Sequence, residues 1–412
     1  MNKPEIVTFG CRLNAYESEV IKEGLEGKLD EKVIIFNTCA VTKEAERQAQ
    51  QAIRKFRREN PEHKIIVTGC AAQVNPKKYA SMNEVDLVLG NEEKLKTDSY
   101  FSLPEDKTLV NDIMSIKETA SHLIQSFDGR ARSFIQVQNG CDHRCTYCMI
   151  PFGRGNSRSV PIGEIVNQIR QLVVNGFKEI VLTGVDITSY GPDLPGTPTL
   201  GQMIKRVLTL VPELPRLRLS SIDVAEIDED LFHLICYEPR FMPHIHISLQ
   251  AGDNLILKRM KRRHTREQVI EFCNKVRKIR PEIIFGADLI AGFPTETDEM
   301  FENTLNLVHE ANLTHLHVFP YSEREGTPAA KMPQLPKKVR KERAKLLREA
   351  GEKELAKILP HYIGQKMQIL VESNEQAKTE NFLSVMLPKT YPSGTLLEAE
   401  ILSIKNNMLV AV

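Results

Sequence analysis

Three cysteines, Cys141, Cys145 and Cys148, are separated by three and then two residues in the stretch Cys141-Asp-His-Arg-Cys145-Thr-Tyr-Cys148. Thiolates at that spacing can wrap one corner of a cubane iron–sulfur cluster, whereas a structural zinc ion takes four ligands and favours paired spacings. Three protein ligands on a four-iron cluster leave one iron open to a small molecule, so the loop reads as a catalytic centre. His143, inside the loop, is the alternative fourth ligand for zinc, and three unrelated thiols is the blandest reading. Three further cysteines stand directly after short apolar runs, in VTFG-Cys11, FNT-Cys39 and VTG-Cys70. Ligands collect outside the carboxyl ends of the strands of an open parallel sheet, so these three would meet there as a second three-thiolate site. A lone buried cysteine is usually packing, and Cys236 and Cys273, each inside a helical pattern, are read that way.

The elements that must hold these groups follow from periodicity. Glu5 to Gly10, Lys32 to Thr38, Lys64 to Gly69 and Asp86 to Gly90 read as buried parallel strands, with helical patterns over 14–27 and 43–60 between them. This alternation predicts an α/β domain with a parallel sheet over residues 1–112, followed by a connection through 95–130. A second series over 127–357 has strands expected at 134–138, 179–185, 216–222, 244–250, 283–290 and 315–321, with helical patterns between them. Six strand–helix units, against the eight of a full barrel, predict a partial (β/α)6 barrel whose first strand leads into the cysteine loop. After a basic helix over about 331–358, residues 360–412 contain short alternating strands broken by Asn, Pro and Gly, which predicts a small all-β module, a five-stranded barrel.

Composition bounds the rest. A chain of 412 residues with 41% hydrophobic and 26% charged residues belongs to the soluble, globular, multidomain class. The opening MNKPEIVTFG has no basic-then-apolar leader, and no run approaches the roughly 18 apolar residues of a membrane span. A cytoplasmic protein without a membrane partner is expected, and in that compartment eight cysteines serve metal or catalysis before disulfides. The net charge of +1 gives no global attraction to nucleic acid, but Lys258 to Arg266 and Lys337 to Arg348 are densely basic. Such runs are usually solvated faces; beside a cofactor site they point to a phosphate-rich partner.

The three-cysteine loop resembles the signature of the radical S-adenosylmethionine (SAM) enzymes, whose partial (β/α)6 barrel agrees with the six units counted. The resemblance implies a 4Fe-4S cluster on Cys141, Cys145 and Cys148, with SAM chelated to its open iron and cleaved to a 5′-deoxyadenosyl radical by an electron from an external donor. It places Tyr147 against the adenine. Gly184 and Asp186, in Thr183-Gly-Val-Asp186, resemble the region that holds the methionine amino group, although the usual Gly-Gly-Glu is missing. Ser248, Gln250 and Asp288 end the fourth and fifth strands, and Ile290 and Gly292, in Ile290-Ala-Gly-Phe-Pro294, resemble the adenine-side segment. Singly each is a polar residue or a turn; on successive strand ends they form a set.

Along nearly the whole chain the order of parts is similar to that of the methylthiotransferases, through FGCRLNAYESE, FNTCAVTKEAERQ, VTGCAAQ, NGCDHRCTYCMIPFGRGNSRS, EIVLTGVDITSYG, ISLQAGDN and GADLIAGFPTET. That family implies a second 4Fe-4S cluster on Cys11, Cys39 and Cys70 as the site of sulfur insertion, with SAM as both methyl donor and radical source. The C-terminal module resembles the TRAM domain, a small RNA-binding barrel. Gly10 to Asn14, Asn37 to Thr42, Thr68 to Gln73, Gly153 to Ser159 and Thr183 to Tyr190 look most like the branch that modifies C2 of threonylcarbamoyladenosine beside the tRNA anticodon. The implied partner is a tRNA anticodon stem-loop, and a monomer is expected. The other branches act on isopentenyladenosine in tRNA or on a ribosomal protein aspartate. Arg154 or Arg158 would pair with the threonyl carboxylate, a tRNA phosphate or the carboxylate of SAM. An RNA-binding protein with structural clusters, and an enzyme that only methylates, are the rivals.

Overall fold

The computed structural model describes residues 4–29, 32–102, 104–117, 131–373 and 375–412. The N-terminal sheet joins β1 (Glu5–Thr8), β2 (Val33–Thr38), β3 (Lys64–Gly69), β4 (Leu87–Leu89) and β5 (Thr108–Leu109), all parallel and in sequential order. β2 is buried along its whole length, as a central strand covered on both faces must be. Helices α1 (Arg12–Leu25) and α2 (Lys43–Glu59) connect the first three strands. Thr42 caps α2 by accepting from the Ala45 amide, and Glu44 and Glu46 complement the dipole of its first turn. Short helices α3 (Cys70–Val74) and α4 (Pro76–Ala80) follow β3. The stretch expected as a connection contributes β5 and two 3₁₀ turns, Thr97–Phe101 and Ile113–Ser115, while 118–130 lies outside the described residues.

The second sheet is the expected partial barrel. After β6 (Ser133–Gln136), the cysteine loop is closed by a hairpin of β7 (Gln138–Asn139) and β8 (Arg158–Ser159) and contains α5 (Ile150–Arg154). There follow α6 (Ile162–Val174), β9 (Glu179–Thr183), α7 (Leu200–Leu210), β10 (Arg216–Leu219), β11 (Ser221–Ile222), α8 (Glu229–Tyr237), β12 (His244–Gln250), α9 (Asn254–Met260), α10 (Arg266–Ile279), β13 (Ile284–Ala291), α11 (Asp298–Glu310), β14 (Leu313–Pro320) and α12 (Lys337–Ile358). The strand expected at 216–222 is broken at Ser220, so its halves pair separately, in the orders β10-β9-β6 and β11-β12-β13-β14. Counting the broken strand once gives six parallel strands.

Alternation sorts the two faces of this sheet. Ile180, Leu182, Leu217, Leu219, Ile245, Ile247, Phe285, Ala287 and Leu289 join the large core beneath the helices. The alternate residues Glu179, Arg216, Arg218, His244, His246, Asp288, His315 and His317 face inward, so the barrel interior is polar. Two neighbouring units enclose it. Leu13, Tyr16 and Val20 of α1 pack on Phe134 and Val181 at the first-strand side. At the last-strand side the Lys43 amide donates to Ser322 Oγ, and Arg324 pairs with Glu46.

The C-terminal strands β15 (Lys366–Ser373), β16 (Gln376–Thr379), β17 (Ser384–Met386), β18 (Leu396–Lys405) and β19 (Met408–Ala411) form the expected closed five-stranded barrel. The turn between β16 and β17 plugs the amino-terminal end of the larger barrel. Phe382 stacks on His244 at 4.8 Å between centroids and lies under Arg132 and Arg218 at 5.0 and 4.9 Å. Arg216 donates to Gln368 and Arg218 to the Glu380 carbonyl. Phe382→Ala removes this ring, and we expect a loss of about 2 kcal/mol, below the roughly 3–5 kcal/mol of a fully buried phenylalanine, read as a lower urea midpoint of the full chain.

Candidate active site

A cavity of about 400 Å³ opens at the carboxyl ends of both parallel sheets. Cys141, Cys145 and Cys148 line it from one side, and Cys11 and Cys70 from the other. Cys39 lies just behind them: a Cβ built on Gly10 would stand 2.9 Å from its Sγ, and Gly10 has φ of +100°, so only glycine lets this loop pass the thiol. Five of the six cysteines therefore line one space from two sides, and Cys39 stands directly behind Cys11 and Cys70. Cys236 and Cys273 are buried in α8 and α10, away from it.

The donor sets fit iron–sulfur ligation. The sulfurs are already recipients of N–H groups: Val41 N to Cys39 at 3.5 Å, Ile150 N to Cys148 at 3.4 Å, Asn91 Nδ2 to Cys70 at 3.7 Å and Arg262 Nη1 to Cys145 at 3.9 Å. Hydrogen bonds to the sulfurs are among the groups that tune such clusters. Burial pushes the Cys39 and Cys148 thiols up to about 12, so they become thiolates only when a bound metal displaces their protons to solvent. His143 Nε2 is engaged by Asp186 at 3.0 Å and Glu226 at 3.5 Å, and those hydrogen bonds push the imidazole up to about 10.

The residues expected to contact SAM mostly converge. Tyr147, Gly184, Asp186, Ser248, Gln250, Asp288 and Ile290 all line the cavity. Tyr147 is set by an edge contact with Phe293, at 6.4 Å between centroids. Asp186 accepts from Cys141 Sγ at 3.7 Å, and its amide donates to Gln138 Oε1 at 2.8 Å. Asp288 is held by His246 at 3.1 Å and His317 at 3.2 Å; burial opposes its charge, but the imidazoles hold it well below the usual carboxylate range. Gln250 carries φ of +75°, the kind of strained backbone that collects at functional sites. Gly292 is the exception. It does not line the cavity; a Cβ there would meet Arg340 Cγ at 2.7 Å, so it is a packing turn under α12.

Arg154 has its donors taken up within the protein. It lines the cavity but is 1% exposed and forks onto Glu17, with Nη1 to Oε1 at 2.7 Å and Nη2 to Oε2 at 2.9 Å. It also reaches Asn14 at 2.6 Å and Asn139 at 3.1 Å, and Lys94 donates to the same carboxylate at 2.7 Å. Arg158 is buried as well, spent on the carbonyls of Asn156 and Arg154. Pattern reading also missed Arg262 and Asp223. Arg262 was taken as part of a basic face, yet it lines the cavity, donating to Asp223 at 2.9 Å and to the Ser248 carbonyl at 2.6 Å. His264, from the same run, is buried against Asp223 at 3.2 Å. Their place beside Cys145 is fixed by the turn after α9, which no local pattern signals.

Two family models match the chain: the radical SAM superfamily over residues 135–308, and uncharacterized protein family UPF0004 over residues 3–90. The chain is 63% identical over 410 residues to the threonylcarbamoyladenosine tRNA methylthiotransferase MtaB of Rickettsia prowazekii, covering 100% of this chain and 97% of that protein. A tRNA-2-methylthio-N(6)-dimethylallyladenosine synthase of Staphylococcus saprophyticus is 32% identical, over 89% of this chain and 75% of that one. Among solved structures, the radical SAM methyltransferase TsrM of Kitasatospora setae shares the fold, with a TM-score of 0.58 at 13% identity over 80% of this chain and 75% of that one.

Replacing Glu17 by Ala would leave Arg154 and Lys94 as buried cations without a counter-charge, a loss of roughly 3–5 kcal/mol in denaturant unfolding. Burial opposes the Glu17 charge, but Arg154 and Lys94 hold the carboxyl down to about 2. Its stabilisation is therefore complete above the ordinary carboxyl value near 4.3 and disappears as pH falls through about 2. An acid titration of the wild type should show this loss, and Glu17→Gln should lack it.

Proposed function

The chain belongs to the radical SAM methylthiotransferase family, and from that premise we propose that it inserts a methylthio group at C2 of N6-threonylcarbamoyladenosine beside the anticodon of tRNA. The observation that carries the reading is the meeting of two cysteine triads across one cavity. One triad would hold the cluster that engages SAM, and the other, Cys11, Cys39 and Cys70, the cluster that carries the sulfur. When bound, these groups supply the electron, the radical and the methylthio unit. The chain's own part is to hold them at one separation, exclude bulk water and admit one base.

C2 of adenine has no acidic proton for a side-chain base, so the cavity needs placement rather than a proton acceptor. Tyr147, Gly184, Asp186, Ser248, Gln250, Asp288 and Ile290 are assigned to SAM. Arg262 sets a fixed positive charge beside Cys145 and orients the Ser248 backbone. The base must leave the anticodon loop to enter, as in other enzymes that modify a nucleobase. Lys337, Lys338, Lys341, Lys345 and Arg348 are exposed on α12 and form the basic face offered to the stem-loop, while Arg340 and Arg343 of the same helix are buried on Glu323 and Glu296. No helix among the described residues is long and apolar enough to cross a membrane. Both triads come from one chain, so we take the active unit to be a monomer working in the cytoplasm, where tRNA is, with an external one-electron donor.

Two cysteine variants separate the triads. After anaerobic reconstitution, Cys145→Ala should lose both 5′-deoxyadenosine formation and product, whereas Cys39→Ala should still cleave SAM but form no methylthio nucleoside. An enzyme that only methylates would tolerate Cys39→Ala. Mass spectrometry of tRNA nucleosides from cells lacking the protein should show threonylcarbamoyladenosine accumulating in place of its 2-methylthio form; loss of the methylthio-isopentenyl nucleoside instead would overturn the substrate assignment.

A further inference from the structure

Inside the partial barrel, beneath the cavity, cations outnumber carboxylates. Arg132, Arg216 and Arg218 share the single carboxylate of Glu179, at 3.2, 3.7 and 2.9 Å. Arg132 also reaches Glu372 at 2.8 Å, and Asp288 is occupied by His246 and His317. Lys378 enters the same interior, with its Nζ over the Phe382 ring. Buried Nη1 atoms of Arg216 and Arg218, and Nε2 of His244, have no hydrogen-bond partner among the described residues.

Arg12 is the cation left over. It is the residue after Cys11, in the first turn of α1, and its guanidinium enters the barrel interior 5.9 Å from the Phe134 centroid. The charges it senses there are Arg132 and Arg218 on one side and Asp288 and Glu179 on the other. It is half-buried, and among the described residues it makes no hydrogen bond and no ion pair. Arg12 stands just behind the cavity wall, which its neighbours Cys11 and Leu13 line while it does not. A guanidinium drawn out of water without a counter-charge is costly, and it is tolerated where a ligand brings the anion.

We propose that Arg12 is a specificity-determining residue that receives the carboxylate of the threonylcarbamoyl group. The inference rests on the threonylcarbamoyladenosine reading above and deepens it. That substituent hangs from N6, on the same six-membered ring as C2, and ends in one carboxylate that a guanidinium can hold through two parallel hydrogen bonds. Because Arg12 follows Cys11 directly, the group that reads the substituent and a thiolate of the sulfur-bearing triad are fixed by one turn of chain. Seating the carboxylate therefore sets the position of C2 relative to the sulfur. An isopentenyl group brings no anion and leaves Arg12 half-buried and unpaired, so rejection comes from the penalty as well as from the missing contact.

The test uses reconstituted full-length protein and anticodon stem-loops bearing threonylcarbamoyladenosine as the free acid or as its methyl ester. Wild type should favour the acid by roughly 30-fold or more in kcat/KM, with a matching preference in stem-loop Kd measured without turnover. Arg12→Gln should erase that preference in both readouts, and Arg12→Lys, which keeps the charge but not the fork, should recover part of it. Iron content of each variant establishes that the clusters load. Equal use of acid and ester by the wild type, or an undiminished preference in Arg12→Gln, overturns the proposal. Loss of 5′-deoxyadenosine formation from SAM alone in Arg12→Gln would mean that Arg12 holds the carboxylate of SAM, which also overturns it. Failure of the underlying reading is distinguishable: wild type would then modify neither stem-loop while modifying one that bears isopentenyladenosine.

Discussion

The fork of Arg154 onto Glu17 is the interaction on which the geometry of the site depends. Arg154 ends the short helix that follows Cys148, and Glu17 lies in the helix that follows Cys11, so the pair is a strut between the two triads. Its surroundings spread the constraint further. Asn14 takes the other edge of Arg154 and donates to the carbonyls of Phe9 and Thr38, the residues leading into Cys11 and Cys39. Asn91 bridges the Gly153 carbonyl and Cys70. One buried polar network therefore touches the approach to every proposed ligand of the N-terminal triad. An apolar interface could have matched it in stability, since replacing a buried ion pair by packed hydrophobic residues is often neutral or better. An apolar interface can slide, whereas a bidentate pair with satisfied neighbours has one geometry.

The openness of the barrel makes such a strut necessary. A full barrel of eight strands closes on itself; this one has six, and its first and last strands are bridged by other parts of the chain rather than by each other. The N-terminal domain spans the gap by packing α1 on β6 and by tying α2 to the residues after β14. The C-terminal barrel closes the opposite end with Phe382. Each appended unit thus supplies a wall of the reaction space as well as its own function. The C-terminal module, which resembles an RNA-binding fold, is bonded through Arg216, Arg218 and Arg132 into the same interior that lies under the cavity.

What could be read from the chain divides along a physical line. The triad at Cys141, Cys145 and Cys148 is local, and its spacing alone states its geometry. Cys11, Cys39 and Cys70 were legible because each ends a strand, and parallel strands bring their ends together whatever the loops do. The six-strand count and the closed five-stranded barrel followed from periodicity for the same reason. Arg154 was illegible because its partner stands 137 residues away, and a loop arginine beside a cysteine motif reads equally well as a substrate contact. Gly292 was misplaced because the backbone that packs it under Arg340 looks, in sequence, like a turn facing a ligand. The run from Lys258 to Arg266 misled for the opposite reason: charge density says nothing about direction, and Arg262 and His264 point inward while Lys258 and Lys261 point out.

Direction also explains why the polar interior coexists with a stable fold. Desolvation would push Glu179 toward its neutral form, yet three guanidiniums hold it down to about 2. That arrangement is overpaid in positive charge, because one carboxylate cannot neutralise three arginines. Packing on Phe382 and Phe134 offsets part of the remainder through the ring faces, and Gln368 and the Glu380 carbonyl take further donors. Hydrogen bonds of this kind satisfy geometry without cancelling charge. A barrel interior built so carries an excess of positive charge beneath the cavity, and the same arginines that supply it fasten the C-terminal module.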